Sequence, residues 1–269
     1  MIQNLHTHTV FCDGKDAPEE MVRAAVALGM DSLGFSGHAP MEPPGSWTMS
    51  EEDVPRYRAE ILRLREAYAG RLEIFLGLEL DADSPPQTGP WDYTIGSVHQ
   101  VIRDGVPLPV DESEPVLLQN AARYCGGDLL AFAEDYYRRV GEVPEKTGCQ
   151  ILGHFDLVCK FNEGDRLFDT SHPRYVAAAL GALDRLAAQD VIFEINTGAM
   201  SRGYRSAPYP APWLLRAMEA RGLPICITSD CHRADTLLYA FGQAEELARS
   251  CGYRERMVLT RRGFQPVGI

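Results

Sequence analysis

The chain has no long hydrophobic run. Its longest apolar stretch, Tyr175 to Leu183, is stopped by Asp184, far short of the roughly 20 residues a membrane-spanning helix needs. Positive charge is in deficit: 26 Lys and Arg stand against 38 Asp and Glu, a formal charge of −12. Such a chain lacks the basic face that displaces counterions from a phosphate backbone, which argues against a general nucleic-acid binder. A small phosphorylated substrate is not excluded, because bound cations can outweigh the global field. Cysteines number seven, an odd count, and form no CxxC pair, so reduced thiols are expected rather than a disulfide framework. The first residues, MIQNLHTHTV, carry neither the basic nor the apolar segment of a secretory signal. The expectation is a cytoplasmic protein without membrane contact.

Tandem repeats, low-complexity runs and linkers are missing as well. Three short Pro-rich patches, Met41–Ser46, Ser84–Pro90 and Ala207–Pro212, punctuate the chain without dividing it. What recurs is an alternation. Seven β-prone runs, Ile2–His8, Asp31–His38, Leu72–Leu80, Tyr93–His99, Gln150–Asp156, Val191–Thr197 and Pro224–His232, each end in a polar cluster. Amphipathic segments separate them: Pro18–Leu28, Ser50–Tyr68, Leu129–Val143, Pro173–Ala188, Ala211–Arg221 and Thr236–Ala248. Strands alternating with helices predict βα units and a parallel sheet. About seven such units favour a closed barrel in one domain, residues 1–269, with its chemistry at the C-terminal ends of the strands.

Histidine is scarce, and its placement is uneven. Six of the seven, His6, His8, His38, His99, His154 and His232, lie at those strand ends, and only His172 lies elsewhere. Asp13, Glu79, Asp156, Glu194 and Asp230 belong to the same clusters. In a strand, residues i and i+2 share a face, so His6 and His8 converge on one point, and Asp230 and His232 form a second pair. Imidazoles so arranged suit a borderline divalent ion such as Zn, Mn or Fe. Glu79 follows the apolar run IFLGL, where a carboxylate is costly unless paired or metal-bound. Asp13 sits in the CDGK loop close to His8. Cys12 and Cys231 flank these clusters and read as packing residues.

In chain order, HTHTVFCDG, GFSGHAP, LGLELD, DYTIGSVH, GHFDLV, EINTG and SDCH resemble the polymerase and histidinol phosphatase (PHP) superfamily. The longer stretches SGHAPMEPPGSWTMSEEDVPRYRAEILRLREAY and EINTGAMSRGYRSAPYPAPWLLR resemble its histidinol-phosphate phosphatase branch. The resemblance covers essentially the whole chain. It implies a distorted (β/α)7 TIM-like barrel with about three divalent ions. One ion would take His6, His8, Glu79 and Asp230. A second would take bridging Glu79 with His99 and His154, and a third Asp13, His38 and His232.

The same resemblance implies hydrolysis of L-histidinol phosphate, by attack of a metal-bridging hydroxide held at Glu79, Asp230, His6 and His8. Three ligand carboxylates and three divalent ions leave a surplus of positive charge that a phosphomonoester dianion and a hydroxide neutralise. That balance explains how so acidic a chain takes an anion. Arg202 matches the stretch where the family places a phosphate-binding Arg; Arg205 and Lys160 are further candidates. Asp111, Glu112 and Glu114, after the fourth β run, lie on the side where a cationic amine and imidazole would be met. Another small phosphorylated metabolite is the alternative substrate. An amidohydrolase-type barrel also opens with HxH, but it commonly uses a bridging Lys at a central strand end, where this chain offers His99 and His154.

Overall fold

The computed structural model describes residues 1–42 and 44–269; Pro43, in the Met41–Ser46 patch, lies outside the described residues. The first half runs β1 (Gln3–Asn4), α1 (Pro18–Ala27), β2 (Ser32–Phe35), α2 (Asp53–Ala67), β3 (Glu73–Asp81) and β4 (Tyr93–Ser97). Next come a hairpin, β5 (Gln100–Arg103) and β6 (Val106–Pro109), and three helices, α3 (Glu114–Tyr124), α4 (Leu129–Val140) and α5 (Val143–Thr147). The chain continues as β7 (Ile151–Leu152), α6 (Pro173–Leu186), β8 (Ile192–Asn196), α7 (Gly198–Ser201), α8 (Pro212–Glu219), β9 (Ile225–Thr228) and α9 (Phe241–Ser250). A second hairpin, β10 (Glu255–Thr260) and β11 (Gly263–Gly268), ends it.

Each of the seven β-prone runs contains one strand of a single sheet, ordered β1-β2-β3-β4-β7-β8-β9, with every neighbouring pair parallel. The sheet curls until its edges meet. Just beyond the strands, Thr7 bridges Cys231: His8 N donates to the Cys231 carbonyl at 2.9 Å and Cys231 N to the His6 carbonyl at 3.2 Å. Asn4 ties the seam from below, donating from Nδ2 to Ser229 Oγ at 2.7 Å and accepting from Ser229 N at 3.2 Å. The result is a distorted seven-stranded barrel.

Alternation along the strands separates two faces. On β3, Ile74, Leu76, Leu78 and Leu80 pack outward with Met21, Val22, Ile61 and Leu64 of α1 and α2. Phe75 faces inward with Leu5, Tyr93, Ile95, Ile151, Ile192 and Cys226. Tyr93 fills the middle of this floor and donates its hydroxyl to the Leu5 carbonyl. Its ring needs two glycines: a Cβ on Gly77 would fall 2.4 Å from it, and one on Gly34 2.5 Å from its Oη. Leu259 of β10 joins the floor, held by two 2.8 Å hydrogen bonds to the Gln3 side chain. Alternation makes β10 Leu259 a plug for the N-terminal end, which the βα pattern did not foresee.

Six helices, α1, α2, α4, α6, α8 and α9, fall in the expected segments with shifted ends, whereas α3, α5 and α7 were not expected. The segment expected at Thr236–Ala248 opens with a 3-10 turn, Ala234–Thr236, and its α-helix starts at Phe241 after Ala240 adopts φ +57°. Residues 100–124, unassigned in the sequence, form the β5–β6 hairpin and α3. Its two-residue turn, Asp104 and Gly105, has φ of 50° and 75°. An Asp-Gly pair with both φ positive is the preferred tight hairpin turn, so a signal was present.

Candidate metal centre

β1 proper ends at Asn4, yet the extended segment beyond it still carries His6 and His8 into the barrel, because the seam bridge at Thr7 continues the pairing. Their Nε2 atoms lie 3.1 and 3.5 Å from Glu79 Oε2, and 3.6 and 3.2 Å from Asp230 Oδ1. Glu79, on the inward face at the top of β3, is the hub. The same Oε2 lies 2.9 Å from His38 Nδ1. Its Oε1 accepts from Ser97 Oγ at 2.6 Å and lies 3.2 Å from His154 Nε2 and 3.6 Å from His99 Nε2. Asp13 reaches in from its loop: Oδ1 is 3.7 Å from both His8 Nδ1 and His38 Nε2, and Oδ2 is 3.1 Å from His232 Nε2. Asp230 follows β9 with φ +44°, a conformation non-glycine residues rarely hold. It aims Oδ1 at His6 and His8, while His232 turns toward Asp13.

All nine sequence-selected donors thus meet at one mouth. Seven of them form three overlapping groups, His8–Asp13–His38–His232, His6–His8–Glu79, and His38–Glu79–His99, and the other two stand beside these, Asp230 Oδ1 near His6 and His8 and His154 Nε2 near Glu79 Oε1. The grouping differs in detail from the one the resemblance implies. His38 belongs to two groups because its Nδ1 faces Glu79 and its Nε2 faces Asp13; His8 is shared in the same way.

Several of these atoms are buried without a hydrogen-bond partner: His6 Nε2, His8 Nε2, Glu79 Oε2, Asp13 Oδ1 and His154 Nδ1. His6 Nε2 and His8 Nε2 crowd Glu79 Oε2, and Asp13 Oδ1 faces the His8 and His38 rings, none of them aligned as a hydrogen bond. Unmatched buried polar atoms are costly, and nitrogen and carboxylate lone pairs converging from several strands are what a divalent cation satisfies. The donor set therefore fits metal ions. The electrostatics are mixed: working against burial, neighbouring carboxylates hold the His6, His38 and His99 imidazoles above their usual value. Burial alone would raise the Glu79 carboxyl, but His6 and His38 beside it hold it well below its usual range. Burial, with His38 and His232 alongside, pushes the His8 imidazole down to about 3, which keeps it neutral and able to coordinate.

Behind the donors stands a further layer, of which the sequence had singled out only Cys12, as a packing residue. Asp81 Oδ2 accepts from His99 N at 2.7 Å and lies 3.1 Å from His99 Nδ1. Trp47 packs edge-on against His38, ring centroids 4.6 Å apart, and 5.0 Å from His99. Cys12 Sγ lies 3.5 Å from His8 Nδ1. Period-2 alternation on β3 places Asp81 beside Glu79 and so carried a signal; Trp47 arrives from a long loop and carried none. Asp156, noted with the strand-end carboxylates, instead accepts from Ala211 N at 3.0 Å. His172 caps α6, accepting from Arg174 N.

The three cations differ in commitment. Arg202 Nη2 donates to Asp230 Oδ2 at 3.1 Å and Nη1 to His232 Nδ1 at 2.9 Å, which sets it on the rim of the donor cluster. Lys160 donates to the carbonyl and Oδ2 of Asp111 at 2.8 and 3.0 Å. Arg205 donates to the Cys159 carbonyl at 2.7 Å and pairs with Glu163 at 3.0 Å. Beside Lys160 opens a cleft of about 350 Å³, lined by Glu112, Phe161, Glu163 and Tyr204 among others. Glu114 is paired with Arg166.

Residues 4–198 match the family described as PHP domain. A Deinococcus radiodurans protein named "Probable histidinol-phosphatase" is 34% identical over 274 residues, 97% of each chain. The histidinol-phosphatase of Bacillus subtilis is 28% identical, over 88% of this chain and 95% of its own. Among solved structures, the histidinol phosphate phosphatase of Lactococcus lactis, complexed with Zn, L-histidinol and phosphate, has a TM-score of 0.74 at 20% identity and covers 98% of both chains. At that identity the likeness concerns the fold. No helix among the described residues is long and apolar enough to cross a membrane.

Proposed function

The chain belongs to the PHP domain family, and on that premise we propose that it is a metal-dependent phosphomonoesterase that hydrolyses L-histidinol phosphate to L-histidinol and phosphate. The observation that carries this reading is the donor cluster around Glu79, with lone pairs from six strand ends and no hydrogen-bond partners for several of them. The full-length similarity to histidinol-phosphatases selects the substrate. The reading takes residues 1–269 as one domain acting in the cytoplasm on a small phosphorylated metabolite.

About three divalent ions would be held, by His6, His8, Glu79 and Asp230, by Glu79, His99 and His154, and by Asp13, His38 and His232. Zn, Mn and Fe all suit this mixture of imidazole and carboxylate. When bound, such ions supply an acidified water and positive charge for the phosphoryl oxygens. Glu79, with a carboxylate oxygen turned to each side, joins two of the donor groups. Arg202 spends two of its nitrogens on Asp230 and His232; a guanidinium has five N–H donors, so others remain for a phosphate oxygen. Its planar fork presents parallel donors that an ammonium cannot. Arg205 and Lys160 take over the phosphate contact if Arg202 does not make it. Glu112 and the rings of Phe161 and Tyr204, in the cleft beside Lys160, offer surroundings for the cationic end of the substrate.

The test is phosphate release by metal-reconstituted enzyme from histidinol phosphate, other monoesters and a phosphodiester. The expected kcat/KM for histidinol phosphate exceeds that for a plain monoester of similar size by at least ~100-fold, since about 3 kcal/mol of recognition at ~1.4 kcal/mol per decade gives that factor. A flat profile over monoesters keeps the phosphatase and removes the histidinol assignment. Preference for the diester removes both.

A further inference from the structure

Glu194 sits at the inward face of β8, 1% exposed, one layer below the donor cluster. Neither of its oxygens is left without a hydrogen-bond partner, and among the described residues no Lys or Arg pairs with it. A buried carboxylate in that position needs an explanation. Its contacts supply one. Oε1 accepts from His6 Nδ1 at 2.5 Å and from Thr228 Oγ1 at 2.6 Å. Oε2 accepts from the backbone N of His154 at 2.7 Å and from Asn196 Nδ2 at 2.9 Å. The backbone N–H and the amide are donors by chemistry, and the other two partners can donate. A carboxylate facing four donors is satisfied only as an acceptor on both oxygens.

From this geometry we infer that Glu194 is a positioning residue for the metal centre. It holds His6 with the proton on Nδ1, so the Nε2 lone pair is presented to Glu79 and Asp230. Through the other oxygen it fixes the backbone from which His154 projects. One carboxylate on β8 therefore sets two donors that approach Glu79 from different strands, β1 and β7. Outer partners of this kind fix both the tautomer and the direction of a ligating imidazole. Gln cannot replace it: its NH2 would face two donors, and the least costly response is for the His6 proton to move to Nε2, which removes the coordinating lone pair.

The inference rests on the mouth holding divalent ions, and the experiment separates the two statements. Metal-free parent and Glu194→Gln proteins are titrated with Zn and with Mn against a chromogenic chelator, and the bound ions are counted by elemental analysis. The parent is expected to bind, and the variant to bind at least one ion 10- to 100-fold more weakly, the usual effect of losing an outer-layer partner, with a melting temperature in the metal-free state close to the parent's. Equal affinity in parent and variant overturns the positioning role and leaves the metal reading intact. Failure of the parent to bind overturns the metal reading. A second measurement holds even if the variant does not fold. Nitrogen-15 NMR of the metal-free parent should show His6 Nδ1 protonated and in a strong hydrogen bond; an unprotonated Nδ1 overturns the inference directly.

Discussion

The floor and the mouth of the barrel are built on the same strands and are opposite in character. On β3, Phe75 and Gly77 face the floor and Glu79 and Asp81 the mouth; on β4 the order is Tyr93, Ile95, then Ser97. At the floor every group is matched: rings and methyls pack closely, glycines make room for Tyr93, and its hydroxyl has the Leu5 carbonyl. At the mouth, buried imidazoles and carboxylates converge, and several of their atoms have no hydrogen-bond partner. The difference shows that fold stability and chemistry are separated by height along each strand. Inward positions recur every second residue, so a strand of about nine residues carries both.

The comparison breaks if the halves turn out not to be independent. The largest expected effect is at the hub. Glu79→Ala should lose more than one bound ion and lower kcat/KM by over a thousandfold, about 4 kcal/mol, whereas Asp13→Ala should lose mainly one ion. Elemental analysis giving the same full occupancy in both variants contradicts the hub role. At the floor, Gly77→Ala should destabilise the fold by about 3 kcal/mol, because the new Cβ collides with the Tyr93 ring and overpacking of this kind costs that much. Denaturant unfolding measures it, and metal affinity of the folded fraction should not change. A floor variant that folds normally but loses its ions would collapse the distinction.

On the rim, Arg202→Ala should weaken binding or turnover by about 2–3 kcal/mol, the scale of a charge-assisted hydrogen bond in a sheltered site, and Arg202→Lys should recover only part. An unchanged kcat/KM passes the phosphate contact to Arg205 or Lys160. The smallest effect is expected at Arg205, whose guanidinium is committed to Glu163 and the Cys159 carbonyl. Arg205→Ala should shift kcat/KM by less than about fivefold, under about 1 kcal/mol. A larger loss in steady-state kinetics would add Arg205 to the phosphate contacts.

Much of the mouth was readable because its signal is local. HTH, SDCH and GLELD each place polar groups directly after an apolar run, and strand-end placement is enough to say that they share one face. The β5–β6 hairpin was announced by Asp104-Gly105 but fell between stronger patterns. The C-terminal hairpin follows α9, but no helix separates its two strands to mark it as part of the βα series. Asp81 carried a signal in the alternation of β3 that went unused, Trp47 lies in a loop without periodicity, and the role of Glu194 was not readable, since it depends on His6, 188 residues away.

Amino-acid order alone thus determined the alternation of strands and helices, the strand ends that carry the donors, and the acidic balance that makes bound cations necessary for an anionic substrate. These follow from periodicity and composition, which are properties of short windows. Tertiary structure alone decided which donor faces which: that His38 joins His6, His8, His99 and His154 around Glu79, that His8 and His38 each serve two groups, and that Glu194 stands beneath His6. Those distances are set by barrel closure at Thr7 and Cys231, which brings together residues more than 200 positions apart, and no local pattern encodes such a distance.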